Sequence, residues 1–594
     1  MKTKLCISAL SLFSLNVFSQ CFVSKVWDNQ NVNPSNYDIV STALDPSGNL
    51  VSTANHLMGS NTRINVKCTN NNGNVVWLQN CPSSITQNNY GVDIKTDALG
   101  NSYVCGANHN GTNYDYIISK FSPTGSLVWQ KIYNGTGNND DIPAAIELDI
   151  AGNVYVVGTS YGLGSFNTDY VTIKYDNSGN QIWLKRYDFS NKPEIAADLL
   201  VDNSGNVFIT GASASALNNS DVTTLKYSPT GVLLNTHRYN YTGNGFNISS
   251  EMAFDNTNNV IIACSFENGS KKFGTLKLSN TLSQVWVNTI SGSNVSEGYG
   301  VFTDNSANVI SVGYQNNSSG GSDIIINKYN SSGVLLWDKK LQNINPSNFA
   351  KARKVKTDVN GNIYVISDAV QNTTKDFLTL AFDANGNTLW EKYYNSPNNA
   401  NDVPNSIQVK NNSVIVTGIS TLGSAKTIST VKYSVDIKPA VPSSTLSGNY
   451  NKNELLIWFD SSHVIKPVID KKDFQSGRLA DFIKPDFLQT LDKKIKLGWS
   501  ELKTFKIYTR MTTADSVSTA RTGEKIKVPT FWATLSVMLP TNVSEQQVKD
   551  SLNTFYYDIK EVDYNYFYNK SSIPNDFYVT TNQSSLVPTV AYPN

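Results

Sequence analysis

A chain of 594 residues is too long for one ordinary domain, so several units or a repeat array are expected. Its 48 Lys+Arg against 47 Asp+Glu leave a net charge of +1 with only 16% charged residues, which excludes an electrostatic nucleic-acid surface and an acidic disordered chain. Aromatic residues reach 11%, which suits strands, while 4 His and 5 Met leave little for a His-built metal centre or a Met-lined groove.

The chain opens with a targeting segment at 1–19. Lys2 and Lys4 precede the apolar run Leu5 to Phe18 and a small residue, the plan of a secretory signal cut between Ser19 and Gln20. A lipoprotein signal acylated at Cys21 is the rival, disfavoured by Gln20 where such signals carry Gly or Ala. No later stretch supplies the roughly 18 apolar residues of a membrane helix. A secreted or cell-surface protein is expected, with the periplasm as the alternative. Cys21, Cys68, Cys81, Cys105 and Cys264 follow the signal, an odd set without a C-x-x-C pair, and read as small buried hydrophobes.

Residues 20–437 carry a repeat. Unit two reads Asp97-Ala-Leu-Gly-Asn101, Tyr103-Val-Cys-Gly106, Lys120-Phe121, Pro123-Thr-Gly125, Trp129, and unit three reads Asp149-Ile-Ala-Gly-Asn153, Tyr155-Val-Val-Gly158, Lys174-Tyr175, Gly179, Trp183. The first turn recurs at Asp45, Asp97, Asp149, Asp202, Asp255, Asp304 and Asp358, about 52 residues apart, with a degenerate copy at Lys410 to Val414. In such a turn the Asp side chain accepts a backbone N–H two residues on, and the Gly three positions later (Gly48, Gly100, Gly152, Gly205) supplies positive φ. Two hairpins per unit give four antiparallel strands, which is a β-propeller blade. The outer-strand Trp recurs at Trp27, Trp77, Trp129, Trp183, Trp286, Trp337 and Trp390, with Leu234 expected to replace it in unit four. The last unit, Asp402 to Tyr433, has three strands and no Trp, so the strand around Trp27 is expected to complete it and close a ring of eight blades.

The pattern resembles the secreted bacterial β-propeller repeat known as SBBP, whose name refers to seven blades, the alternative to the eight counted here. The resemblance implies an extracellular binding or scaffold module, with no shared catalytic residues to carry over.

After a Pro/Ser linker at 438–453, residues 454–570 read as a small α+β domain and 571–594 as an extended tail. Strands are expected over Glu454 to Phe459, Phe505 to Met511, Phe531 to Leu539 and Ile559 to Tyr568, with helical spacing over Leu488 to Leu497. A second helix is announced by Ser544 with Gln547, a capping box, and by Val543 with Val548, a hydrophobic staple. This strand–helix–strand, followed by Ser572-Ile-Pro-Asn-Asp576-Phe-Tyr, resembles the junction between a subtilase propeptide and its protease domain. The resemblance implies an inhibitor-like domain and a subtilisin-type protease domain as partner. The acid, base and nucleophile motifs of that protease are absent from the chain.

Chemistry-bearing patterns are sparse. Gly158-Thr159-Ser160 has the look of a nucleophile triplet but sits in a blade register shared with Gly106 and Gly211. The Asp-x-x-Gly turns lack the oxygen ligands of a calcium loop. His56 and His109 are expected in corresponding loops after the second strand, and Tyr114, Tyr161 and Phe166 are aromatic candidates for ligand contact, with Ser160 to Asp169 and Ala212 to Asp221 as the variable loops. The expectation is a non-enzymatic secreted propeller without metal or cofactor, recognising an extracellular protein or glycan. The alternative is the front end of a subtilase precursor.

Overall fold

The computed structural model describes residues 21–31, residues 41–437 apart from short segments (59–60, 82–86, 163–166, 217–218, 242–244, 371–373, 423–424 and single positions 291, 344, 398 and 411), and parts of 450–566. Two compact units result, one spanning Lys25–Val435 and a second that includes the chain from Asp436 onward. Among the described residues no helix is long and apolar enough to cross a membrane.

The first unit is an eight-bladed β-propeller made of eight four-stranded antiparallel sheets. Seven sheets are simple meanders; blade 3, for example, runs Asp141–Leu148, Val154–Tyr161, Thr168–Tyr175 and Gln181–Tyr187 from the inside outward. Blade 8 takes Asn401–Lys410, Ser413–Leu422 and Ala425–Ile437 from late in the chain and its outer strand, Cys21–Asn31, from the beginning. The inner strands of successive blades lie side by side, and that of blade 8 meets Ser41–Leu44 of blade 1, so the ring is closed. The turns joining strands one to two and three to four fall on one face. The loops joining strands two to three and the connections between blades fall on the other, called here the loop face.

Turn chemistry holds blades 1 to 7 at their first hairpins. Asp97 Oδ1 accepts the N–H groups of Leu99 and Asn101, both at 2.9 Å, while Oδ2 accepts Asn101 Nδ2 at 2.7 Å and the buried Tyr103 hydroxyl at 3.0 Å. Asp149 repeats the set with Ala151, Asn153 and Tyr155. Asp45 and Asp202 hold Asn49 and Asn206 in the same way. Blades 5 and 6 place Asn258 (φ 61°) and Ala307 (φ 59°) where the others have Gly, so the turn survives there at a backbone cost of about 1 kcal/mol.

A second device joins neighbouring blades. The outer-strand Trp donates its indole N–H to a carbonyl in the next blade's outer turn: Trp77 to Pro123 at 3.0 Å, Trp129 to Asn177 at 3.0 Å, Trp286 to Ser331 at 3.1 Å. The ring lies flat on that turn's Gly; at Gly125 (φ +85°) a Cβ would stand 2.7 Å from the Trp77 ring, so no other residue fits. Blade 4 corrects the expectation of Leu234 at the Trp position. The register sets Asn235 opposite Lys226, as Trp183 stands opposite Lys174, and Leu234 is exposed. The next blade answers with Leu282 in place of the turn Gly; it adopts φ 61° and is buried in a cluster with Phe208 and Leu276, filling the volume the indole leaves.

The second unit contains a five-stranded sheet in the order Ser476–Arg478, Lys503–Lys506, Thr534–Met538, Tyr450–Phe459, Ile559–Tyr566. The helix spans Pro485–Lys494, earlier than the expected Leu488 to Leu497, because Pro485 suits a first helical turn and Phe487, Leu488 and Leu491 supply the buried stripe. These pack with Trp499, Leu455, Ile457, Leu535 and Val537 into one core. Of the helix expected after Ser544, Val548 and Leu552 are among the described residues, both helical and both in that core. The linker from 438 to 449, the Ser572 to Tyr578 stretch, the tail and the Ser19–Gln20 junction lie outside the described residues.

Candidate axial site and its mouth

Each inner strand from blade 2 to blade 8 carries one β-bulge, at Val92, Ala144, Ala197, Ser250, Tyr299, Arg353 and Asn405. The extra residue breaks strict alternation. It sets the residues four and two before the turn on the axial side: Asp93 and Lys95 in blade 2, Glu147 in blade 3, Asp198 in blade 4, Glu251 in blade 5, Lys354 and Lys356 in blade 7.

These side chains form one network. Lys95 Nζ lies 3.2 Å from Glu147 and 3.5 Å from Asp93, and Asp93 also accepts the Ser41 hydroxyl at 2.7 Å. Lys354 reaches past blade 6 to Glu251 at 2.8 Å. Gly300 permits this, since a Cβ there would lie 3.1 Å from Lys354 Cα. The carboxylates also stitch blades, accepting N–H groups of the next inner strand: Asp93 from Ile146 at 3.3 Å, Asp198 from Met252 at 2.7 Å, Glu251 from Val301 at 3.2 Å. Lys356 lies over the Phe302 ring at 4.2 Å.

Four carboxylates thus share the axis with three ammonium groups. Burial, then the neighbouring Glu251 charge, pushes Asp198 up to about 7, only partly opposed by Met252 N–H, Lys95 and Lys354. Burial disfavours charge on Lys95, but Asp93, Glu147 and Asp198 outweigh it and hold the ammonium more firmly than usual. A carboxyl group that titrates near neutrality beside fixed cations is chemically competent to donate or accept a proton.

At the loop-face mouth, blades 5 to 7 combine aromatic faces with charge. Tyr299, the bulge residue of blade 6, stacks on Tyr314 with centroids 5.9 Å apart and donates its hydroxyl to Glu297 at 2.9 Å. Lys351 sits over Tyr314 at 4.3 Å, and Lys271 pairs with Glu297 at 2.9 Å. Arg353 and Lys375, both partly exposed, converge on the fully buried Asp368 at 2.9 and 3.0 Å. On blades 3 and 4, Asp169, Asp188 and Glu194 bring carboxylate oxygens within 4.8 Å of one another. The protein's own donors engage each: Arg186 pairs with Asp169, Asn191 N–H with Asp188, Ser213 and Phe189 N–H with Glu194.

The loop residues expected from the sequence are distributed differently. His56 and His109 are strand residues, paired with Arg63 and Tyr114, because the hairpins run further than the turn spelling suggests. His109 packs edge-on to Tyr114 at 4.8 Å, with Tyr90 at 5.2 Å from Tyr114, and its Nδ1 accepts Gly111 N–H. Tyr161 ends a strand opposite Thr168, and its carbonyl lies 3.5 Å from Arg186. Phe166 lies outside the described residues. Ser160, Asp169, Ala212 and Asp221 are likewise strand residues, so the variable loops are shorter than expected. Ser160 is buried and its hydroxyl accepts from Arg186 at 2.7 Å, a structural partner rather than a nucleophile. Cys68, Cys81, Cys105 and Cys264 are buried free thiols.

No protein-family model matches the chain, and no curated protein matches it. Among solved structures, the propeller is similar to a polysaccharide lyase of family PL25, an ulvan lyase bound to a sulfated glucuronic acid–rhamnose unit (10% identity, TM-score 0.38, covering 57% of this chain and 90% of that one). It is also similar to Sqt1 from Chaetomium thermophilum (8%, TM-score 0.42, 69% and 100%) and to quinohemoprotein alcohol dehydrogenase from Comamonas testosteroni (9%, TM-score 0.31, 72% and 78%). Likenesses at this level carry no argument about activity. The expectation of a non-enzyme is corrected: structures named as a lyase and a dehydrogenase are among those it resembles, and a propeller fold by itself excludes no chemistry.

Proposed function

We propose that the propeller is a secreted module, built of repeats akin to the SBBP type, that binds an acidic extracellular glycan across the loop face at the mouth of the axial channel. The observation that carries this reading is the stacked Tyr299–Tyr314 pair set among Lys351, Arg353, Lys271 and Glu297. Tyr299, partly exposed and backed by the buried Tyr314, offers the C–H surface of a sugar ring an aromatic face, while guanidinium and ammonium groups suit carboxylate or sulfate substituents.

Immobilised uronate-bearing and sulfated glycans, with neutral glycans as controls, test the proposal. Wild-type protein is expected to prefer the acidic chains, with affinity falling as salt rises, and Tyr299→Ala and Arg353→Gln to lose about tenfold each. Chain-length analysis of the glycan after incubation reads any cleavage in the same experiment. Equal binding by wild type and both variants would place the site elsewhere.

A further inference from the structure

A cavity of about 420 Å³ opens between the outer halves of blades 6 and 7. Its floor is aliphatic, formed by Ile324, Leu378 and Leu380. Asn343, in the connection between the two blades, lines the same cavity. It is 7% exposed, yet neither its amide nitrogen nor its amide oxygen meets a hydrogen-bond partner. A buried amide left unpaired is costly, and an apolar residue of the same shape would relieve that cost, so a purely structural role does not explain an Asn here.

The mouth adds Lys340, which already pairs with Asp323 at 3.4 Å, the exposed Glu391, and Tyr393, whose strand neighbour is Leu378. Polar and apolar groups therefore face each other across a space wide enough for a sugar ring. A single peptide amide brings one donor and one acceptor, too few for Asn343, Glu391 and Lys340 together. An amino sugar brings several hydroxyls, an N–H and a methyl group.

We propose that this inter-blade cavity is a binding site for a pyranose carrying a 2-acetamido group. Asn343 Oδ1 accepts the acetamido N–H and Nδ2 donates to the adjacent ring hydroxyl. The acetyl methyl meets Ile324, Leu378 and Leu380, Tyr393 faces the ring, and Glu391 accepts a further hydroxyl. The site shares no lining residue with the axial mouth and does not depend on the reading given for it.

The test is titration of the full-length protein with N-acetylglucosamine and its trimer, followed by calorimetry or ligand-observed NMR, with glucose and N-acetyl-leucine amide as control probes. Millimolar or tighter binding of the acetamido sugar is expected, with glucose at least tenfold weaker. Asn343→Leu should lose at least tenfold while its melting temperature stays level or rises. Glu391→Gln, at the exposed rim, should weaken binding severalfold and serves should Asn343→Leu not fold. Tyr299→Ala should bind the amino sugar like wild type, which separates this site from the axial one. Undiminished binding in both pocket variants, no binding of the amino sugar, or a preference for the leucine amide would each overturn the proposal.

Discussion

Lys174 Nζ and Trp183 Nε1, from adjacent strands of blade 3, donate to the same carbonyl, that of Pro229 in blade 4, at 3.1 Å each. The double grip recurs with Lys120 and Trp129 on Asn177, Lys277 and Trp286 on Ser331, and Lys328 and Trp337 on Ala384. Blade 7 faces blade 8, whose third and outer strands come from opposite ends of the chain and share no turn. There Ala381 replaces the Lys, opposite Trp390, and the buried Trp390 Nε1 has no acceptor.

The two indoles should therefore respond differently to the loss of their N–H. Trp183→Phe removes a made hydrogen bond and is expected to cost about 1 kcal/mol beyond the packing change, whereas Trp390→Phe removes only an unmade one. Denaturant unfolding of both variants checks this. Equal losses would mean that the shared carbonyl contributes nothing.

Asp255 and Lys277 meet at 2.8 Å, both nearly inaccessible. Burial raises Asp255, but the Lys277 ammonium, Asn259 and Thr257 outweigh it and hold the carboxyl down at about 2. The folded value lies below the unfolded one, so this stabilisation is present above about pH 4 and lost as pH falls toward 2. Lys277→Met is expected to cost about 3 kcal/mol at pH 7, with the deficit shrinking below pH 4 as Asp255 takes up a proton. Thermal unfolding from pH 2 to 7 reads the difference.

Glu194 behaves in the opposite sense. Burial, reinforced by Asp169 and Asp188 and only partly offset by Ser213 and Phe189 N–H, pushes it up to about 8. The folded protein then keeps a proton that the unfolded chain releases, so stability declines as pH rises from about 4.5 to about 8. Glu194→Gln should flatten that decline and gain about 2 kcal/mol at pH 8. A variant whose pH profile parallels wild type would show that Glu194 is ionised throughout.

In the axial network, Lys354→Met removes the ion-pair partner of Glu251 and one of the two cations, with Lys95, that act on Asp198. Because Lys354 is more than one-third exposed, the stability loss should stay near 1 kcal/mol. The clearer readout is Asp198, whose carboxyl titration by ¹³C NMR should move above about 7. An unmoved midpoint would mean that the lysine does not act on it.

Much of the scaffold was legible because its chemistry repeats at one spacing. The Asp97 turn and the outer Trp recur in blade after blade, and the missing Trp after Asp402 pointed to closure by the strand around Trp27. Asn235 escaped because one residue of register separates it from Leu234, and only the pairing with Lys226 decides between them. The axial charges were hidden for a different reason. Position by position they read Ser41, Asp93, Ala145, Asp198, Glu251, Gly300, Lys354 and Ser406, six residue types over eight blades, and the bulge shifts them off a two-residue alternation. Asn343 is invisible to sequence reading, since a lone Asn in a connecting loop looks like any turn residue until its burial is known.

Ring closure also bears on how the protein is made. Cys21–Asn31, made before every other strand of the propeller, must wait until Ala425–Ile437 exists before it has a neighbour. A chain broken off early keeps an unpaired sheet edge, the kind of surface that aggregates or is recognised by proteases. The topology therefore acts as a length check in biosynthesis: a product lacking either partner strand advertises its own incompleteness.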